Sequence, residues 1–192
     1  MEAFFVSLGV VALGEMGDKT QLLAFVLAAK FKRPVPIILG VLTSTLVNHF
    51  FAGVVGQWVA VQLGPALLRW VVGLSFLGMA GWVMVPDKAD DKALSYAARF
   101  GIYGTTVIAF FLAEMGDKTQ IATAALAARY HDLLPVVAGT TAGMMVSDIP
   151  AIFLGNKFAQ KIPMHLVHGI AALIFAALGL LALLNVGNAF GG

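Results

Sequence analysis

The sequence predicts an all-α integral membrane protein, with six transmembrane helices arranged as two inverted three-helix repeats. Three observations carry that expectation. The 192 residues are 60% hydrophobic and 11% charged, with a mean hydropathy of +0.91, whereas a soluble domain carries about 25% charged residues. Apolar runs recur at the length of ~20 residues that a ~30 Å hydrocarbon core requires. One heptapeptide, Glu15-Met16-Gly17-Asp18-Lys19-Thr20-Gln21, returns unchanged as Glu114-Met115-Gly116-Asp117-Lys118-Thr119-Gln120.

The first span is expected from Phe4 to Ala29 and carries the first heptapeptide; Lys30, Lys32, Arg33 and Pro34 end it. The second runs from Val35 to Val59, with Thr43, Ser44, Thr45, Asn48 and His49 near its middle. A turn at Gln62, Gly64 and Pro65 leads to the third, Leu67 to Val85, closed by Pro86. Residues 87–99 form the one long polar stretch and read as a linker between halves. The fourth span, Phe100 to Ala128, carries the second heptapeptide. The fifth, Leu134 to Leu154, holds Ser147, Asp148 and Pro150, and Pro150 is expected to break it locally. A basic loop with Lys157 and Lys161 precedes the sixth, Leu166 to Val186.

The halves, 1–86 and 100–192, align without a gap at the offset that carries Glu15 onto Glu114. Pro36 falls on Pro135, Gly40 on Gly139, Val47 on Val146, Gly56 on Gly155, and Asn48-His49 on Ser147-Asp148. Apolar similarity arises by chance; repeated charges do not. An odd number of spans per half makes the second enter the bilayer from the opposite side, which is inverted topology. Lys30, Lys32, Arg33, Lys88, Lys92, Arg99, Lys157 and Lys161 share one side, against Arg69 and Arg129 on the other. The positive-inside rule places the first set in the cytoplasm and both termini outside it. Met1-Glu2-Ala3-Phe4 lacks the basic start of a signal peptide, so the first span is expected to stay.

A charge at a bilayer centre costs roughly 2.5–3.5 kcal/mol, so the heptapeptides point to function. On a continuous helix Glu15, Asp18 and Lys19 share one face, as do Glu114, Asp117 and Lys118. Gly17 and Gly116 remove bulk beside the acids. Where the two motifs meet, four carboxylates and two lysines give a formal charge of −2 if all ionise, which a divalent cation neutralises. Glu15, Asp18, Glu114 and Asp117 are therefore the candidate metal ligands, and hard oxygens suit Mn²⁺, Ca²⁺ or Mg²⁺. Thr20, Gln21, Thr119 and Gln120 add oxygens or orient the acids; Asn48 and Asp148 are weaker supporting candidates. Lys19 and Lys118 either serve the site or pair with Glu15 and Glu114 to ease insertion. His49 reads first as a satisfied core histidine, and His165 and His168 as interfacial. Trp58, Trp70 and Trp82 fit aromatic belts. A carboxyl group in low dielectric favours its neutral form until a cation arrives, so protons and metal compete for the same oxygens. With no cysteine, disulfides and thiolate sites are excluded. No basic stripe marks a nucleic-acid surface.

Duplicated Glu-x-Gly-Asp-Lys-Thr motifs in two three-helix halves resemble the family of Golgi-type manganese/calcium transporters and bacterial manganese exporters. The resemblance covers essentially the whole chain. It implies a cation/proton exchanger, not an enzyme, that exports Mn²⁺, or Ca²⁺, from the cytoplasm across a bacterial inner membrane by alternating access. The motif acids then hold the ion. No cofactor is implied, because the metal is cargo; the partners are the ion, protons and the lipid bilayer, with room for a homo-oligomer. Three other functions share parts of this pattern. A small-solute or amino-acid exporter explains size and repeats without needing four acids. A cation channel needs an open path. An intramembrane aspartyl protease needs glycine where Glu15 and Glu114 stand.

Overall fold

The structure, a computed structural model, describes residues 1–85, 100–154 and 164–186. Every regular element among them is a helix: α1 Glu2–Glu15, α2 Lys19–Phe31, α3 Pro34–Trp82, α4 Gly101–Glu114, α5 Lys118–Tyr130, α6 Leu133–Leu154 and α7 Met164–Leu183. The linker at 87–99, with Lys88, Lys92 and Arg99, and the loop lysines Lys157 and Lys161 lie outside the described residues.

The first and fourth spans are not continuous helices, which corrects the sequence reading. Each is broken inside its heptapeptide. Met16 is extended (ψ 118°) and Gly17 is left-handed (φ 81°); Met115 (ψ 119°) and Gly116 (φ 74°) repeat the break. A left-handed residue ends the helical hydrogen-bond ladder, and glycine adopts it without the Cβ clash. The one-face arrangement expected for Glu15, Asp18 and Lys19 therefore does not apply. Glu15 is the last residue of α1, and Asp18 is the N-cap of α2. Glu114 and Asp117 hold the same places on α4 and α5.

Elsewhere the punctuation follows the sequence more closely. Lys32 and His131 close α2 and α5 in the left-handed conformation, each donating its backbone N–H to the carbonyl four residues back. Pro34 then opens α3 from a position where its missing N–H costs nothing. The turn expected at Gln62–Pro65 is a sharp break at Gly64 (φ 67°) within α3, dividing it into arms 34–63 and 65–82. The break expected at Pro150 does not occur: α6 runs through it to Leu154. Proline's fixed φ is helical and it removes a single donor, while packing of α6 on α1, α2 and α3 holds the rest of the helix.

Three of these helices are long and apolar enough to cross a membrane: α3, residues 133–153 of α6 and 165–183 of α7; α4 is apolar but shorter. Leu42, Leu46, Phe50, Val54 and Trp58 form an exposed stripe along α3 at four-residue spacing. Contiguous apolar surface of that kind marks contact with another apolar phase. Inside, Phe76 of α3 packs on Phe175 of α7 with ring centroids 6.2 Å apart, beside Leu68, Val72, Met79 and Ala182.

The two halves exchange the same contact. Gly139 of α6 lies against α1, where a Cβ would sit 2.3 Å from the Phe4 carbonyl oxygen and 2.9 Å from the Ser7 side chain. Gly40 of α3 lies against α4, where a Cβ would meet the Thr106 side chain at 2.6 Å and the Tyr103 carbonyl oxygen at 3.1 Å. Gly40 and Gly139 are repeat mates, as are Phe4 with Tyr103 and Ser7 with Thr106. These crossings carry the broken end of each heptapeptide helix into the interior.

Candidate metal centre

Four helix ends meet where the heptapeptides break. Glu15 and Glu114 project from the last turns of α1 and α4. Asp18 and Asp117 cap α2 and α5, whose N-termini carry the positive end of the helix dipole. Asp117 Oδ1 accepts a hydrogen bond from the Lys118 backbone N–H at 2.7 Å. All four acids are buried.

Neighbouring side chains hold each break in the same way. Thr20 donates its hydroxyl to Glu15 Oε2, and Thr119 donates to Glu114 Oε2 at 3.1 Å. The Gln21 and Gln120 side-chain carbonyls accept from the backbone N–H of Gly17 and Gly116 at 3.0 and 2.8 Å. Both glutamine oxygens are thus committed to the backbone, and the two threonine hydroxyls contact the glutamates. Gln21 also donates from Nε2 to the Ser147 backbone oxygen at 2.9 Å, fastening α2 to α6.

One carboxylate oxygen each of Glu15, Glu114 and Asp117 lies within 4.8 Å of the other two. Two ionised carboxylates at that distance repel by about 3.5 kcal/mol at an effective dielectric of about 20. The arrangement therefore suits a bound cation. Asp18 stands apart from this triad, gripped by Lys118 at 2.8 Å. Lys19 approaches Asp117 Oδ2 at 3.3 Å. Each lysine thus contacts the aspartate of the other motif, and both also act electrostatically on Glu114, whereas a plain Lys19–Glu15 and Lys118–Glu114 pairing is the alternative to a role at the site. The physical reason is the break itself: with the helix interrupted at Gly17 and Gly116, the Glu and Lys of one motif no longer share a helical face.

The supporting candidates divide. Asn48 donates from Nδ2 to the Phe111 carbonyl at 3.3 Å, tying α3 to α4. Asp148 is fully buried, both of its oxygens lack a hydrogen-bond partner among the described residues, and it is within electrostatic reach of Glu15 and Glu114. Sequence reasoning underrated two histidines. His49, read as a satisfied core residue, is fully buried with neither ring nitrogen hydrogen-bonded, and its Nε2 lies 3.9 Å from Glu114 Oε2. His168 Nε2 lies 2.9 Å from the Met16 carbonyl oxygen, so α7 reaches the first break. The available signal for His49 was its repeat mate, Asp148.

The chain matches, over residues 3–91 and 102–189, the family described as "Divalent cation/proton antiporter GDT1". The chain belongs to the GDT1 family. GDT1 proteins are transporters and not enzymes, and the exchange of divalent cations for protons that their description states agrees with a carboxylate triad. Among its relatives, a Vibrio cholerae protein named "Putative manganese exporter" is 44% identical over 181 residues, covering 94% of this chain and 90% of that protein. The yeast protein named "Divalent cation/proton antiporter GDT1" is 23% identical over 228 residues, covering 91% and 81%. A GDT1-like protein of Synechocystis is 26% identical over 194 residues, covering 91% and 93%. No solved structure matches the chain. Membership in GDT1 sets aside the small-solute exporter and the protease.

Proposed function

We propose that this GDT1 protein exports Mn²⁺ from the bacterial cytoplasm in exchange for protons, with Glu15, Glu114 and Asp117 as ligands of the ion. The observation that carries the reading is the triad: acids from both heptapeptides converge on one point, although they are far apart in sequence. Manganese, as the choice among divalent cations, is supported by the Vibrio cholerae relative. Ca²⁺ is the second reading, because an all-carboxylate triad accepts it equally well on chemical grounds.

The transport cycle is alternating access between two inverted three-helix repeats, 1–86 and 100–192, joined by a cytoplasmic linker at 87–99, with both termini outside the cytoplasm. The reciprocal crossings at Gly40 and Gly139 support that symmetry. Cytosolic Mn²⁺ displaces protons from the acids, the repeats rock, and outside protons displace the ion. Asp18 enters the ligand set when Lys118 releases it, so the cross-motif lysines act as counter-ions of the empty site. The ion is cargo, and no resident cofactor takes part.

Glu15→Gln and Asp117→Asn are each expected to abolish manganese resistance in cells while the protein stays in the membrane. Full resistance in either variant would overturn the site. In proteoliposomes, Mn²⁺ flux should dissipate an imposed pH gradient; a gradient left untouched would remove the exchange. Parallel assays with Ca²⁺ and Mg²⁺ decide the preferred ion.

A further inference from the structure

Among the described residues, His49 is the one fully buried imidazole, and it lies beside Glu114 of the triad. It lies in the first arm of α3, and neither Nδ1 nor Nε2 has a hydrogen-bond partner among the described residues. A buried polar group left without a partner costs about 1–3 kcal/mol, and an apolar residue at that position would avoid the cost. One turn earlier on the same helix, the Thr45 hydroxyl is also buried and without a hydrogen bond. α3 thus leaves donor and acceptor capacity unused at His49, beside Glu114.

The contact between His49 and Glu114 is too long for a hydrogen bond. His49 Nε2 and Glu114 Oε2 are 3.9 Å apart, beyond the 2.7–3.2 Å of an N–H···O bond. Two ligand atoms sharing an ion at bond lengths of about 2.1 Å lie about 3 Å apart when adjacent and about 4.2 Å apart when opposed. The separation from Glu114 falls inside that range, while the ligand atoms that lie within 4.8 Å of one another are those of Glu15, Glu114 and Asp117, so the His49 ring has to shift toward the ion to join them.

We propose that His49 is a specificity-determining ligand, adding one imidazole nitrogen to the oxygens of Glu15, Glu114 and Asp117 and so favouring Mn²⁺ over Ca²⁺ and Mg²⁺. The inference rests on the reading of the triad as the metal-binding site. Its chemical basis is ligand type: Ca²⁺ and Mg²⁺ take oxygen almost exclusively, whereas Mn²⁺, which also favours oxygen, is a first-row transition metal and accepts an imidazole nitrogen beside it. The repeat sharpens the point, because the mate of His49 is Asp148. A strictly symmetric site would carry an acid at both places, and the departure from symmetry introduces nitrogen.

The test is pulsed EPR of Mn²⁺ bound to the full-length protein in detergent, paired with transport selectivity in proteoliposomes. The unaltered protein should show ¹⁴N hyperfine coupling that changes to the ¹⁵N pattern when histidine is ¹⁵N-labelled. His49→Gln should lose that coupling, and its Mn²⁺ affinity should fall at least roughly 10-fold, the lower end of the loss seen when even an outer-shell partner is removed, with Ca²⁺ affinity changed less. His49→Asp, which restores the repeat pattern, should still transport Ca²⁺, and it provides a second variant if glutamine does not fold. Bound Mn²⁺ without nitrogen coupling, or unchanged selectivity in both variants, would overturn the role of His49 and leave the carboxylate site standing. Failure of the unaltered protein to bind Mn²⁺ at all would remove the site and the inference together.

Discussion

Lys118 and Asp18 show how little freedom the buried charges have. Their 2.8 Å contact is almost entirely withdrawn from solvent, with side chains 4% and 1% exposed. Removing one partner of a buried pair leaves an uncompensated charge and costs about 3–5 kcal/mol. Lys118→Met should therefore lower thermal stability in detergent by that order, and Asp18→Asn in the same chain should recover much of the loss. Lys19→Met should cost clearly less, because Lys19 is 22% exposed and its contact with Asp117 is longer, at 3.3 Å. Equal losses from both lysines would contradict the assignment of Lys118 as the buried counter-ion.

At the scale of the helices, the breaks depend on conformation and the crossings on space, and two substitutions separate these effects. Gly116 has a left-handed backbone and open surroundings, so a Cβ there meets nothing within 4 Å. Gly116→Ala should cost about 1–2 kcal/mol through backbone conformation alone, read as a drop in melting temperature with Mn²⁺ binding retained. Gly139 has the opposite problem: its Cβ would press on the Phe4 backbone oxygen of α1. Overpacking of this kind costs about 1–3 kcal/mol, and it displaces the helix that carries Glu15. Gly139→Val should therefore reduce both stability and transport. If Gly139→Val transported normally, the α1–α6 crossing would not be what positions Glu15.

The whole molecule offers a direct test of topology, because the native chain has no cysteine. A single cysteine at Ser95, in the proposed linker, should react with a membrane-impermeant thiol reagent only in inside-out vesicles. A cysteine at Glu2 should react only in intact cells or spheroplasts. The opposite pattern would reverse the orientation and with it the direction of export. Ligand linkage gives a second whole-molecule measurement: an ion that binds only the folded state at 100 times its Kd stabilises by about 2.7 kcal/mol. Mn²⁺ should raise the melting temperature of the unaltered protein and leave that of Glu114→Gln unchanged.

Composition and repeated letters alone gave the membrane class and the duplicated heptapeptide with its four acids. Those properties reside in composition and in repeated letters, and neither depends on how the chain folds back. The sequence also located the turn at Gly64 and ended the first and fourth spans at Ala29 and Ala128, close to the ends of α2 at Phe31 and α5 at Tyr130, where local chemistry decides. Folding supplied the rest: Gly17 and Gly116 break their helices, each lysine contacts the aspartate of the other motif, and Glu15, Glu114 and Asp117 converge while Lys118 holds Asp18. Each of these depends on which segment packs against which. The same holds for His49, an ordinary buried histidine in the sequence, which the crossing of α3 and α4 brings beside Glu114. An α-helix reads much the same to local propensity whether or not one glycine in it turns left-handed, and the partners of a buried charge lie on the other half of the chain.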